Sequence, residues 1–328
     1  PDITSFSGTD LLVVYNCHQI VERNSFNPVD SIYTSNIIKR TCQKLWPLQH
    51  QLFRQLNTQI TLESCYTCNE PGILLSWTSD IHNYYHLMLD LGRRLICIEN
   101  NMYTSLHSYP IFIVGPENKL VVQMIKSLFP RCFLNLKFLD LPIINFSSSI
   151  SIPNVIEPSY MDSGGIKMLS QRIKKRISSI TKKFEANFSA DRLCVQPIIY
   201  AKRGSGKNGR QIRNEIELER LMKDEIGAYS INFADYSIEE QWQIANNAKV
   251  FISPHGAALT NILSCKKETI VIELLPSSFR PATCSFVSKI LGLKHKRIIY
   301  EDMNNFVPNV HDIYQSIRQF LRSENILI

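Results

Sequence analysis

From residue 196 to the C-terminus, runs rich in β-branched and aromatic residues alternate strictly with segments of helical period, and this alternation limits the possible folds more than any other feature. Gln196 to Lys202, Tyr229 to Phe233, Val250 to Ser253, Thr269 to Leu274 and Arg297 to Tyr300 read as strands. The segment after Asn214, Ser237 to Ala248, Phe286 to Leu291 and His311 to Leu321 read as helices. Strands joined through helices run parallel, and the crossover helices cover both faces of the sheet. Asn214 is placed to cap its helix, and Glu217 three residues later completes a capping-box-like pair.

The first half carries the same signals more loosely. Leu11 to Tyr15 and Gly72 to Trp77 are strand-like, and Asn83 to Glu99 has helical spacing. Ile111 to Gly115, Asn118 to Leu128 and Phe133 to Leu139 follow as strand, helix and strand, a βαβ unit. Pro142 to Gly165, with its serines, prolines and paired glycines, reads as loop. The expected organisation is α/β with two Rossmann-like domains, 1–185 and 186–308, and a last helix, 309–328, that packs back on the first domain. A chain of 328 residues has room for two such cores.

No run approaches the roughly 18 to 20 apolar residues that span a bilayer. The net charge of +7 is a modest excess, and part of it lies in Gln171 to Arg192, which carries Arg172, Lys174, Lys175, Arg176, Lys182 and Lys183. With Ile173, Ile177 and Ile180 interleaved, this reads as a basic amphipathic helix, either solvated between domains or touching a membrane surface peripherally. Nucleic acid is not an expected partner, because no helix-turn-helix, aromatic-and-basic sheet motif or paired zinc module is present. Nine cysteines are scattered without a framework; Cys65 and Cys68 form C-x-x-C with no second pair. Reduced thiols are the default, with Cys65–Cys68 or Cys17–Cys42 disulfides open for a secreted protein.

The sharpest chemical segment is Val250 to Asn261, VFISPHGAALTN. A buried strand ends, the backbone turns at Pro254 to Gly256, and a short helix begins near Ala257. Free N–H groups at a helix start make an anion site, and ligands of open α/β sheets bind at the carboxyl ends of strands. Gly256, Ala257 and Ala258 leave the entrance small, while His255, Thr260 and Asn261 add polar groups. Glu273, seventeen residues after Gly256 at the end of the next strand, is placed to accept from ribose hydroxyls.

A basic loop precedes this segment. Gly204, Gly206 and Gly209 match G-x-G-x-x-G, but the helix starts too late for the third glycine to pack against it. A loop aiming Arg203, Arg210 and Arg213 at phosphate fits better, since guanidinium forks match phosphate oxygens. A third constellation, His82 to Asp90, puts His86 and Asp90 one helical turn apart. A carboxylate beside an imidazole fixes its orientation, which suits a general base. His82 on the same face would make H-x3-H-x3-D, a metal option for which no further ligand is evident, and no metal is expected.

Asn83-Tyr84-Tyr85-His86…Asp90, Arg203…Arg213-Asn214-Glu215…Leu218, Ser237-Ile238-Glu239-Glu240-Gln241, His255-Gly256-Ala257-Ala258-Leu259-Thr260-Asn261 and Ile272-Glu273-Leu274 fall in one order. In that order the chain resembles glycosyltransferase family 61, over about residues 72 to 276. The resemblance implies a GT-B fold and inverting transfer from a UDP-sugar, xylose or N-acetylglucosamine among them, to a glycan or glycoprotein hydroxyl. Ala258 stands where that family usually has a second glycine. With no D-x-D to hold a divalent ion, no cofactor or metal is expected, and arginines with the helix start must stabilise the leaving diphosphate. His86 or Asp90 is then the base, and Arg203, Arg210, Arg213, His255, Gly256, Ala257, Ala258, Thr260, Asn261 and Glu273 face the donor. The competing readings are a nucleotide-dependent oxidoreductase, resting only on Gly204 to Gly209, and a binding relative without turnover. Pro1 to Thr9 show neither a basic nor an apolar leader. A bacterial enzyme in the cytoplasm or at the inner membrane and a truncated enzyme of the Golgi or ER lumen both remain open.

Overall fold

The computed structural model describes residues 4–6, 11–14, 19–22, 66–68, 73–75, 83–100, 110–114, 117–139, 143–146, 149–151, 163–184, 198–203, 212–301 and 309–326. The chain divides into two compact units, Pro1–Gly165 and Ile166–Ile328. Cys17, Cys42, Cys65 and the side chain of Cys68 lie outside the described residues, as do His82, Arg210 and the glycines at 204, 206 and 209. Among the described residues Cys132, Cys265 and Cys284 are free thiols, all buried. No helix among them is long and apolar enough to cross a membrane.

The first unit contains β1 (Thr4–Phe6), β2 (Leu11–Val14), β3 (Gln19–Glu22), β4 (Tyr66–Cys68), β5 (Ile73–Leu75), β6 (Ile111–Val114), β7 (Leu136–Leu139), β8 (Ile143–Phe146) and β9 (Ser149–Ser151). They form a sheet of order β1-β9-β5-β6-β7, parallel except where β1 meets β9, and a mixed sheet of order β3-β2-β8-β4. The expected loop at 142–165 is corrected in part: Ile143–Phe146 and Ser149–Ser151 pair into the two sheets, while residues 152–162 lie outside the described residues.

The expected βαβ unit is present. Helix α1 runs from Tyr84–His86 through a π-helical stretch, Leu87–Leu91, into Gly92–Asn100. Helix α2 (Lys119–Leu128) is capped by Asn118, whose side chain accepts from the Leu120 N–H at 2.7 Å. Its buried residues Val121, Met124, Ile125 and Leu128 repeat at one helical face. A short helix α3 (Pro130–Phe133) leads into β7, which pairs parallel with β6.

In the second unit the sheet is wholly parallel, as expected, with order β11-β10-β12-β13-β14. Its strands are β10 (Ile198–Ala201), β11 (Tyr229–Ile231), β12 (Val250–Pro254), β13 (Ile270–Pro276) and β14 (Lys294–Tyr300). Its helices are α4 (Ser163–Phe184), which opens the unit, α5 (Glu215–Ile226), α6 (Ile238–Asn247), α7 (Thr283–Leu291) and α8 (Val310–Ser323). Every residue of β12 and β13 is buried, which is why they read as continuous apolar runs. Side chains alternate in direction along a strand. The even-numbered Ile252, Ile270, Ile272, Leu274, Ile298 and Tyr300 enter one apolar core with α5 and α8. Odd-numbered Glu273, His295 and Arg297 share the opposite face.

Helix α8 buries Val310, Ile313, Tyr314, Ile317 and Leu321 in that core, against α5 and β14. Its apolar face is thus filled within its own unit. The isoleucines of α4, at 166, 173, 177 and 180, are buried as well, Ser170 Oγ donates to the Leu263 carbonyl at 2.6 Å, and Arg176 pairs with Glu239 at 2.7 Å.

Two caps differ from expectation. Asn214 sits in the left-handed region at φ 62° and its side chain caps nothing, because an N-cap needs extended backbone to fold its oxygen over the first turn. The capping box belongs to α6, where the Ser237 hydroxyl accepts from the Glu240 N–H and the Glu240 carboxylate accepts from the Ser237 N–H at 2.8 Å.

Candidate functional site

In the first unit, His86 and Asp90 are brought together as their spacing foretold. His86 Nδ1 lies 2.7 Å from Asp90 Oδ2. Asn83 starts the helix by accepting from the Tyr85 N–H at 3.0 Å, which fixes the turn that carries His86. The π-helical widening sits between the pair, closed by a Gly92 N–H bond back to the Leu87 carbonyl. Such widenings occur chiefly as single turns at functional sites. The two side chains are not equivalent. Asp90 is buried and its second oxygen is 3.5 Å from the buried guanidinium of Arg93, whose Nε donates to the Leu89 carbonyl. His86 keeps 25 % of its side chain exposed. The geometry gives His86 access and gives Asp90 the task of orienting it.

In the second unit β12 ends at Pro254, the chain turns through His255 and Gly256, and a 3-10 helix occupies Ala257–Ser264. Its first hydrogen bond runs from the Leu259 N–H to the Gly256 carbonyl at 3.1 Å, so the N–H groups of Ala257 and Ala258 precede the ladder. Arg203, at the end of β10, lays its guanidinium against this turn and donates to the His255 carbonyl. Its own backbone N–H is held by Glu215 at 3.2 Å, and the same carboxylate accepts from the Tyr200 hydroxyl at 2.7 Å. Arg213 is exposed in the turn before α5.

Gly256 has a specific reason to lack a side chain. Its backbone is extended, so no unusual conformation demands glycine, but an added Cβ would lie 2.5 Å from Nη1 of Arg203. Gly256→Ala should displace that guanidinium and weaken anion binding while leaving the melting temperature nearly unchanged, since only the tip of a flexible side chain must move. Calorimetry with UDP beside a thermal melt checks both halves.

Thr260 and Asn261 are placed differently from expectation. Both are buried; the Asn261 amide donates to the Ala258 carbonyl at 3.1 Å and to Gln241 Oε1 at 3.3 Å, tying the turn to α6. Asn261 thus braces the loop from inside. The Thr260 hydroxyl is buried without a hydrogen-bond partner among the described residues.

Glu273 also departs from its expected place. It lies mid-strand in β13, between Ser253 and Arg297 on the neighbouring strands, and is completely buried. His255 Nδ1 approaches Oε1 at 2.6 Å and His295 Nε2 approaches Oε2 at 3.0 Å; the Cys284 thiol also hydrogen-bonds to the carboxylate, and Arg297 Nε is 3.9 Å away. Both carboxylate oxygens are engaged below the surface, each by an imidazole. Burial alone would raise its pKa, but the hydrogen bonds and charges of His255 and His295 outweigh that and hold it down at about 2. Burial, reinforced by Glu273, pushes the Cys284 thiol well up, so it stays protonated. His255, Glu273 and Cys284 offer ligand atoms within 4.8 Å of one another. Two tetrahedral ligands about 2.0 Å from a zinc ion would sit roughly 3.3 Å apart. The 2.6 Å between His255 and Glu273 is a hydrogen bond.

The imidazole of His255 therefore has one nitrogen anchored inward. Its other nitrogen, Nε2, takes no protein partner among the described residues, and the ring edge rests on exposed Phe279 at 5.5 Å. His295 was not expected at the site. Only the pairing of β14 with β13 brings it to Glu273, and nothing in the spacing of the two residues signals it. The dinucleotide alternative loses its structural context, because α5 begins at Glu215, six residues after Gly209.

No curated protein matches the chain as a relative. The glycosyltransferase 61 family profile matches residues 84–272, more than half of the chain, and spans His86, Asp90, Arg203, Arg213 and the whole His255–Asn261 segment. The chain belongs to glycosyltransferase family 61, and it is a glycosyltransferase.

Proposed function

We propose that the enzyme is an inverting, metal-independent transferase of the GT-B type. It moves a sugar such as xylose or N-acetylglucosamine from a UDP-sugar to a hydroxyl of a glycan or glycoprotein. The observation that carries this reading is the anchored imidazole of His255, with Nε2 unbonded, beside the Arg203 guanidinium and the N–H groups of Ala257 and Ala258. These are donors only, and a diphosphate is the leaving group they suit. With Nδ1–H donated to Glu273 and Nε2–H to a phosphate oxygen, the ring is a cation. Arg203, Arg213 and His255 then offset the charge that develops as the bond from the anomeric carbon to the β-phosphate oxygen breaks and its electron pair stays on that oxygen. His86, oriented by Asp90, takes the proton of the acceptor hydroxyl as its oxygen attacks the anomeric carbon from the opposite face. No D-x-D is present to place a divalent ion, which agrees with charge supplied by side chains.

The test is a thermal-shift and calorimetry screen against UDP, GDP, CMP and NAD, with and without EDTA. A ligand at 100 times its dissociation constant stabilises by about 2.7 kcal/mol, well within detection. Selective binding of UDP that EDTA does not weaken supports the reading. Binding of NAD alone, or of no nucleotide, overturns it.

A further inference from the structure

The hydrogen bonds around Glu273 continue past it. Ser288 Oγ lies 2.7 Å from His295 Nδ1, His295 Nε2 lies 3.0 Å from Glu273 Oε2, and Glu273 Oε1 lies 2.6 Å from His255 Nδ1. The four side chains come from α7, β14, β13 and the turn after β12; Glu273 and Ser288 are completely buried, and the side chains of His295 and His255 keep only 7 % and 11 % exposed. Cys284, one turn before Ser288 on α7, donates to the same carboxylate, so one face of that helix supplies two donors to the cluster.

We propose that His295 and Ser288 are positioning residues for sugar transfer: through Glu273 they hold the His255 ring in one orientation, with Nδ1–H inward and Nε2 outward toward the donor diphosphate. The proposal rests on the reading of His255 as a diphosphate contact given above. An ionised carboxylate only accepts, so the ring nitrogens on both sides of it must carry protons. His295 therefore bears a proton on Nε2, and its Nδ1 meets the Ser288 hydroxyl, which donates or accepts as that nitrogen requires. That leaves Glu273 Oε1 for Nδ1–H of His255. Without the His295 bond, Oε2 would be a buried lone pair seeking a donor; Arg297 Nε stands 3.9 Å from it, and the carboxylate would have to turn away from His255 to reach that group. A second group that orients an imidazole typically contributes 10- to 100-fold to affinity or activity where this has been measured at metal sites.

Two substitutions at 295 separate positioning from packing. The amide nitrogen of His295→Gln reaches the place of Nε2 and can donate to Glu273, whereas the shorter His295→Asn reaches only the place of Nδ1. UDP and uridine affinities are measured by calorimetry, and the protonated ring nitrogens are read by nitrogen-15 NMR of the imidazoles in the free protein. His295→Asn should weaken UDP about tenfold, leave uridine binding unchanged and broaden or shift the His255 Nδ1–H signal. His295→Gln should restore both. Ser288→Ala, which removes no part of the carboxylate's shell, should move the His295 signals and weaken UDP by a smaller factor, and serves if the asparagine variant does not fold. UDP affinity and His255 signals equal to wild type in the asparagine and alanine variants would overturn the proposal. A shifted His255 signal with unchanged UDP affinity would keep the relay but remove its tie to the donor, and the proposal fails there too. Failure of the underlying reading is visible earlier, as wild-type protein that binds no UDP.

Discussion

Replacing His86 with alanine should lower turnover by about 10²- to 10⁴-fold, the usual contribution of a positioned general base, and leave UDP affinity as it was. His86 is the partly exposed member of its pair, whereas Asp90 is buried and already shared with Arg93. Asp90→Asn should therefore slow turnover less than His86→Ala does, because an amide oxygen can still accept from the imidazole without its charge. Initial rates with a UDP-sugar and acceptor, together with UDP calorimetry, decide the matter. Wild-type turnover by His86→Ala would exclude it as the base, and a larger loss at Asp90 would reverse the two roles.

Glu273→Gln has the largest expected effect on stability. The glutamine keeps the shape but offers one acceptor and one donor where the cluster needs two acceptors. One imidazole must turn, and a buried ion pair is broken, which costs about 3 kcal/mol. The effect should depend on pH in a defined sense. The folded-state pKa of Glu273 is about 2. That lies below the roughly 4.3 of a free glutamate. The stabilisation is therefore complete above about pH 4.3 and is lost as pH falls toward 2. Urea unfolding should show wild type more stable than Glu273→Gln at pH 7, with the gap narrowing between about pH 4 and 2. A gap of constant size across that range would mean that the carboxylate is not held ionised by its neighbours. UDP affinity should fall in the same variant, since the His255 ring loses its anchor.

Much of the second unit was legible in the sequence. Strands buried on both faces carry few polar residues to blur them, and Val250 to Ser253 and Thr269 to Leu274 stand out as largely apolar runs. The His86–Asp90 pair was legible because helical spacing alone brings the residues together. What could not be read depended on contacts between strands. Glu273 reads in the sequence as a strand-end ribose contact; its partner His295 comes near only through the β13–β14 pairing. Asn261 had the composition of a ligand contact and the placement of a loop support, a difference that burial decides and spacing does not. The strands Ile143–Phe146 and Ser149–Ser151 were hidden by their shortness: four or three residues between serines and prolines carry too little period to declare themselves.

The same carboxylate bears on how the sheet finds its alignment. Because β13 is buried on both sides, its isoleucines and leucines would be nearly as well covered if the strand slid by one residue against its neighbours. Such a slip would turn Glu273 to the side occupied by Tyr200, Ile252 and Tyr300, away from both histidines and into hydrocarbon. A lone ionised group there costs several kcal/mol, enough to empty the misaligned state. The charged cluster is thus also a key that admits one alignment of β12, β13 and β14, and a chain lacking it should collapse as readily but settle into its sheet with less discrimination.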